Sequence, residues 1–388
     1  MKLLFISRDL PIEGSGGTSV YRLSILKYIK IKGWNIDYLL LHYKGENNQD
    51  INKRFIEFNS LMKIIRMPTD SQAQFPVWSA LSNKYEIRFV DQQIKLLKPD
   101  LVIADHPWLG SLFKNNAKDK NYTTAILTHD VQFQKIREFK KFGINPYKRN
   151  GDFNQPKWSK MHEKSALSKA DIVLAIQKDD LVTFKQLLPL KKIEYLPMAA
   201  EIRKKTRVKQ IEGRCLFVGG SAQHNIYAIS WFLSKVWPIV IKLDPSASLH
   251  ICGGVCTGLQ KENFMMESVT FKNQVPNVDY EYSQAQVCLI PLPVGSGLKI
   301  KLVEALSYGK ACVSTRAGVQ GICDVENYGV IVADKEEDFA KSIVSIINNP
   351  NKRKMFEVMN KQYALTHLST DVAYGHFILG IYKLKKNT

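Results

Sequence analysis

Acidic residues are scarce in this chain: 36 Asp and Glu stand against 55 Lys and Arg over 388 residues, a formal charge of +19 at pH 7. Cysteine is equally thin, with six residues and none before Cys215. Four of them, Cys215, Cys252, Cys288 and Cys312, fall inside apolar, strand-like runs, the placement of reduced core thiols in a cytosolic protein rather than of a disulfide framework. Cys252 and Cys256 have no further Cys or His pair at ligand spacing, which argues against a zinc site. No stretch approaches the ~18 apolar residues of a spanning helix. The opening run Met1 to Ser7 is cut off by Arg8 and Asp9, too short for a secretion signal. These absences predict a cytoplasmic protein, soluble or held at the inner face of a membrane. Repeats and low-complexity tracts are also missing, so solenoid architectures are set aside.

What remains is a globular composition, 45% hydrophobic, on a chain long enough for two domains. The positive charge is concentrated between Val131 and Lys164, where Phe133, Phe139, Phe142, Tyr147, Phe153 and Trp158 are interleaved with Lys and Arg. Such a segment is either a solvated basic loop or a grip for an anionic bilayer, a phosphorylated acceptor or a nucleic-acid backbone. No recognition helix or base-stacking platform accompanies it, which disfavours nucleic acid.

Short β-branched or Leu-rich runs alternate with amphipathic stretches, the pattern of parallel strands joined by crossover helices. An α/β fold is predicted on that alternation. Strands are expected at Leu3 to Ser7, Ile36 to Leu41, Leu101 to Ala104, Thr124 to Leu127 and Ile172 to Ala175. A polar, basic stretch from Ala199 to Arg214 marks the linker, giving a first domain over 1–200 and a second over 201–370. Strands then resume at Cys215 to Val218, Leu249 to Cys252, Val287 to Pro291 and Ala311 to Thr315. Three helices close the chain, the last, within 371–388, expected to pack back toward the first domain.

Two glycine-rich turns follow strands. Gly14-Ser15-Gly16-Gly17 precedes a helix, where backbone N–H groups and the helix dipole suit a phosphate; a plain surface loop is the alternative. Its spacing is not the dinucleotide fingerprint, and no acidic residue clearly ends the second strand, so NAD is disfavoured. The second turn, Gly295-Ser296-Gly297, leads into Lys299, Lys301 and Glu304. Backbone donors and two cations there suit a diphosphate, and Glu304 suits ribose hydroxyls. The competing reading is a solvated helix face with Lys301 and Glu304 as an i,i+3 pair.

The segment Gly297-Leu298-Lys299-Ile300-Lys301-Leu302-Val303-Glu304-Ala305-Leu306 through Thr315 resembles the donor-binding segment of GT-B glycosyltransferases of the GT4 kind. Phe217-Val218-Gly219-Gly220-Ser221, Asn225, Trp231-Phe232, Val236-Trp237-Pro238 and Leu249 to Gly254 are similar to the opening of that family's nucleotide-binding domain. Gly16-Gly17, Asp100 to Val102 and His129-Asp130 fit more loosely.

This resemblance implies two Rossmann-like domains whose parallel sheets face each other across a cleft, and a sugar-nucleotide donor. It implies a glycan or lipid-linked acceptor, as in cell-surface polysaccharide synthesis. Donor-binding positions are then Gly16, Gly17, Ser221, Gly297, Leu298, Lys299, Lys301 and Glu304. Lys301 and Glu304 act in catalysis with His129, near the transferring sugar; a structural histidine is the alternative for His129. Asp105-His106, at another strand end, is the next candidate, whereas Glu163 reads as a capping or surface carboxylate.

Two departures from the family pattern bear on chemistry. The resemblance implies retention of anomeric configuration, but Ser296 stands where the first of two spaced glutamates is expected, which weakens that implication and leaves the sugar open. Ser221-Ala222-Gln223-His224 replaces a basic pair, so Lys299 or Lys301 must supply the cation for the diphosphate. No Asp-X-Asp triplet occurs, and neither a metal nor another cofactor is expected. A sugar-nucleotide epimerase of similar architecture is the alternative enzyme, and a basic nucleic-acid-binding protein a more distant one.

Overall fold

The computed structural model describes residues 1–11, 17–41, 60–67, 82–113, 120–145, 158–203, 208–259, 264 and 266–386. They divide into two compact units, one comprising 1–133, 156–197 and 374–388, the other 134–155 and 198–373.

The first unit is built on a parallel sheet of β1 (Lys2–Ser7), β2 (Asn35–Leu40), β3 (Lys63–Arg66), β4 (Leu101–Asp105), β5 (Thr123–Leu127), β6 (Ile172–Ala175) and β7 (Lys192–Tyr195), in the order β3-β2-β1-β4-β5-β6-β7. Its central strands are buried along almost their whole length, as a parallel sheet covered on both faces requires. Leu4, Ile6, Val102, Ala104, Ile126 and Val173 form the core beneath the covering helices. The closing helix Thr370–Lys386 contributes its last part to this unit: Tyr374 packs edge-on to Tyr28, and Trp34 donates to the Tyr382 hydroxyl at 2.7 Å.

The second unit has its own parallel sheet of β8 (Arg214–Val218), β9 (Ser248–Cys252), β10 (Val269–Asn273), β11 (Val287–Ile290), β12 (Cys312–Ser314) and β13 (Val330–Val332), in the order β10-β9-β8-β11-β12-β13. The run Gln223–Leu243 is long and apolar enough to cross a membrane, with mean hydropathy 1.4. Asn225, Lys235 and Lys242 interrupt it, so it contains no unbroken apolar stretch of spanning length. Its Ile229, Phe232, Leu233, Val236, Trp237 and Val240 form the heart of this unit's core. A core helix passes the same length and hydropathy test as a spanning one.

The strands missed by periodicity are β3, β7, β10 and β13. Each lies at or next to a sheet edge, is three to five residues long and is partly exposed, so it lacks the continuous apolar run that marks a central strand.

Candidate functional site

In open α/β sheets, ligands bind outside the carboxyl ends of the strands where the strand order reverses. The second sheet reverses between β8 and β11, and the first between β1 and β4. Both points carry polar side chains that the sequence singled out.

At the second sheet, β8 runs into Gly219-Gly220-Ser221 and β9 into Gly253-Gly254. The backbones come together closely here: a Cβ on Gly253 would lie 2.4 Å from the Gly219 carbonyl oxygen, and its φ is +99°. Only glycine fits that corner. Ser221 is exposed, and the helix Gln223–Trp231 starts two residues later.

From the other side of the reversal, β11 leads into Gly295-Ser296-Gly297-Leu298-Lys299 and the helix Ile300–Ser307. Lys299 is not a mobile cation. Its buried ammonium donates to the Gly297 carbonyl at 2.7 Å, the Ser296 carbonyl at 3.0 Å and the Gln320 side-chain oxygen at 3.3 Å. A Cβ on Gly295 would sit 2.6 Å from Lys299 Cε, so the glycine makes room for this clasp.

Lys301 instead crosses the reversal and donates to Asn225 Oδ1 at 2.5 Å. Burial lowers its pKa to about 8, with the charge of Glu304 opposing the shift. Lys301 and Glu304 form no ion pair among the described residues. Glu304 accepts from the Tyr282 hydroxyl at 3.1 Å. Burial raises the Glu304 pKa, against the Tyr282 hydrogen bond and the charges of Arg203 and Lys301. Tyr282 is itself stacked on Tyr308, with ring centroids 4.2 Å apart. The carboxylate is therefore fixed at one oxygen, one turn along the helix from Lys301.

His224 completes the group. Burial, followed by the positive charges of Lys301, Lys135 and Lys299, drives its imidazole well below the ordinary value of 6.5. Its ring meets Phe139 edge-on at 5.5 Å, and its Nδ1 is buried with no hydrogen-bond partner among the described residues. Lys135 and Phe139 come from the helix Gln132–Lys141. The charges of Lys301, Lys135 and Lys299 thus act on a partly buried imidazole with a buried Nδ1 at the strand reversal, an arrangement whose natural complement is an anion.

At the first sheet, the carboxyl ends of β1, β4 and β5 bring together Ser7, Asp105 and His129. Asp105 and Arg22 are each 1% exposed and form an ion pair at 2.8 Å. Ser7 Oγ donates to the same carboxylate oxygen at 2.8 Å, and His129 Nε2 contacts the other at 2.7 Å. Burial alone would raise the Asp105 pKa; Arg22, His106 and His129 hold it far below the ordinary carboxylate value. His106, at φ +79°, stacks on Trp108 at 4.2 Å and lies against His129 at 4.1 Å. A positive φ on a non-glycine residue carries strain of ~1–3 kcal/mol that its surroundings must hold in place. Asp105, His106 and His129 lie close enough to share an ion, yet both Asp105 oxygens are already engaged by protein groups.

Gly17 opens the helix Gly17–Ile31, whereas Gly16 lies outside the described residues. Leu298 is buried, and Gly297 has φ +63°. Glu163 is a cap: its oxygens accept the backbone N–H groups of Gln132 and Phe133, each at 2.9 Å, at the start of the helix Gln132–Lys141. Within 131–164, Phe139 and Trp158 are buried and Phe133 packs against the first unit's core, while Phe142 is 40% exposed. Tyr147 and Phe153 lie outside the described residues. Sequence reasoning overlooked Lys135, Arg22 and Tyr282, which stand in unremarkable helical surroundings and acquire their roles only through folding.

Residues 212–349 match the family described as Glycosyl transferases group 1. The whole chain has the fold of sucrose-phosphate synthase from Thermosynechococcus elongatus, with TM-score 0.74, 14% identity and complete coverage of both chains. The chain thus has the fold of GT-B glycosyltransferases, and the segment similar to group 1 glycosyl transferases lies within its second unit. A structure of S. aureus TarM with fondaparinux, α-GlcNAc-glycerol and UDP is similar at TM-score 0.70 and 12% identity, covering 100% of each chain. Anabaena HepE with UDP-glucose is similar at TM-score 0.66 and 10% identity, covering 99% of this chain and 100% of that one. A protein of the Klebsiella pneumoniae cps region, described as uncharacterized, is 25% identical over 369 residues, 90% of this chain and 91% of that protein.

Proposed function

We propose that this glycosyltransferase moves a sugar from a nucleoside diphosphate donor to a glycan or lipid-linked hydroxyl in cell-surface polysaccharide synthesis. The reversal of the second sheet carries the reading: Lys301 reaches across it to Asn225, Glu304 on the same helix as Lys301 is held by Tyr282, and the backbones close at the Gly219 and Gly253 corner. The diphosphate lies against this group and the glycine turns, with Lys301 and neutral His224 donating to it and Lys299 shaping the loop. Glu304, fixed by Tyr282, takes the ribose hydroxyls through its remaining oxygen. The UDP and UDP-glucose bound by TarM and HepE make uridine the first base to test. The relative from a cps region supports the polysaccharide assignment.

In the reaction, the acceptor oxygen bonds to the anomeric carbon. The bond from that carbon to the diphosphate oxygen breaks with its electron pair. A departing phosphate oxygen takes the acceptor proton, a same-face course that retains configuration. Fixed cations and donors meet the charge developing on the diphosphate, each worth ~3 kcal/mol, and no metal step is required. The basic residues of 131–164 offer charge for an anionic membrane. With Phe139 and Trp158 committed to the interior, attachment there is electrostatic and salt-sensitive.

The test is a binding and turnover screen with UDP-sugars, first without and then with candidate acceptors. Transfer to an acceptor is expected. An altered sugar formed from donor alone would point to an epimerase instead, and absence of nucleotide binding would refute the site.

A further inference from the structure

The first unit holds a chain of buried polar groups that the donor site does not use: Arg22, Ser7, Asp105 and His129. Arg22 and Asp105 are opposite charges removed from water, and such a pair contributes little net stability compared with apolar packing of the same volume. The arrangement has a definite chemical consequence at its far end. Asp105, kept ionised beside Arg22, can only accept hydrogen bonds. The proton in the 2.7 Å contact with His129 therefore resides on Nε2 of the imidazole. In the neutral ring the lone pair is then on Nδ1, which is buried and has no hydrogen-bond partner among the described residues.

The ring cannot readily turn to exchange the two nitrogens. His106 lies against one face at 4.1 Å, Tyr21 meets the ring edge-on at 5.6 Å, and His129 as a whole is 5% exposed. Arg22 is held in turn by Ser7 Oγ at 2.8 Å and Ser19 Oγ at 3.1 Å. A buried acceptor without a donor is unfavourable and calls for an explanation in terms of what it meets in use.

We propose that Arg22 and Asp105 are positioning residues that lock His129 in its Nε2–H tautomer, so that a bare Nδ1 accepts a hydrogen bond from a sugar hydroxyl. This inference rests on the glycosyltransferase reading above. The hydroxyl belongs either to the transferred sugar or to the acceptor, and the two sources separate experimentally.

The primary test reads the tautomer directly, in the intact protein and without turnover. With ¹⁵N-labelled histidine, and His129→Gln to assign the signal, Nδ1 of His129 is expected at the shift of an unprotonated nitrogen and Nε2 at that of an N–H. A protonated Nδ1 in the neutral ring overturns the proposal, whatever the state of the donor site. The second test is Asp105→Asn, which can present an amide donor to Nε2 and reverse the tautomer. In a buried His–Asp pair of a serine protease the same change costs about 10⁴-fold in kcat. Here a fall in kcat of about 10²-fold or more is expected, the lower range for a positioned acceptor, with UDP affinity unchanged. Loss of transfer alone assigns the acceptor hydroxyl. Equal loss of donor hydrolysis and transfer assigns the sugar of the donor. Asp105→Asn with wild-type kcat for both overturns the proposal. Failure of the wild-type protein to bind nucleotide would instead strike the donor-site reading.

Discussion

Replacing Lys301 with Met separates what this side chain costs the fold from what it gives the ligand. Its pKa is lowered from 10.5 to about 8 because burial disfavours the charged form. At 1.36 kcal/mol per pH unit this corresponds to about 3 kcal/mol of unfavourable burial. Partial exposure of the residue and loss of the hydrogen bond to Asn225, worth about 1 kcal/mol, reduce the expected gain on substitution to about 1–2 kcal/mol. The folded pKa lies below the unfolded one, so the cost is fully present below pH 8. It fades as pH rises toward 10.5, because the unfolded chain then holds the proton longer. Without ligand, Lys301→Met is therefore expected to raise the melting temperature of the second unit by a few degrees at pH 7, with the advantage vanishing near pH 10. UDP affinity should fall by about 10- to 100-fold, the loss of one charge-assisted hydrogen bond. Thermal unfolding with and without UDP, beside calorimetric titration, reads both effects. A variant that melts lower without ligand and binds UDP as tightly as wild type would refute the assignment of Lys301 to the diphosphate.

Glu304→Gln should weaken UDP by about tenfold in titration calorimetry while leaving pyrophosphate binding unchanged, since only the ribose contact is altered; equal weakening of both would show that Glu304 serves the fold. Glu163 has its pKa raised by burial to about 7 against the three N–H groups that face it. Its proton stabilises the fold fully below about pH 4.5, and that contribution is lost as pH rises to about 7. Glu163→Gln removes this dependence, sets an amide donor against a backbone N–H and should cost about 1–3 kcal/mol. Faster hydrogen exchange in the helix Gln132–Lys141 is the signature to look for. Transfer activity should persist in excess EDTA, and its abolition, restored by one divalent metal, would overturn metal independence. Binding to anionic vesicles should weaken between 50 and 300 mM salt, and unchanged binding would argue for apolar insertion.

The sequence by itself determined the alternation of central strands and helices, because a strand covered on both faces must be apolar along its length and a covering helix must show its own period. It also determined the glycine corners and one continuous segment, Gly297 to Glu304, whose members follow one another in the chain, though not their partners Asn225, Tyr282 and Gln320. Edge strands such as β3 and β13 escaped, since partial exposure erases the signal. Which groups meet at the two sheet reversals was decided only by tertiary structure. Lys135 and His224 are 89 positions apart, and Arg22, Asp105 and His129 lie on separate elements. Crossover connections bring Ser7, Asp105 and His129 to one sheet edge, where burial and mutual charge give ordinary side chains their altered acidity, their fixed tautomer and their orientation.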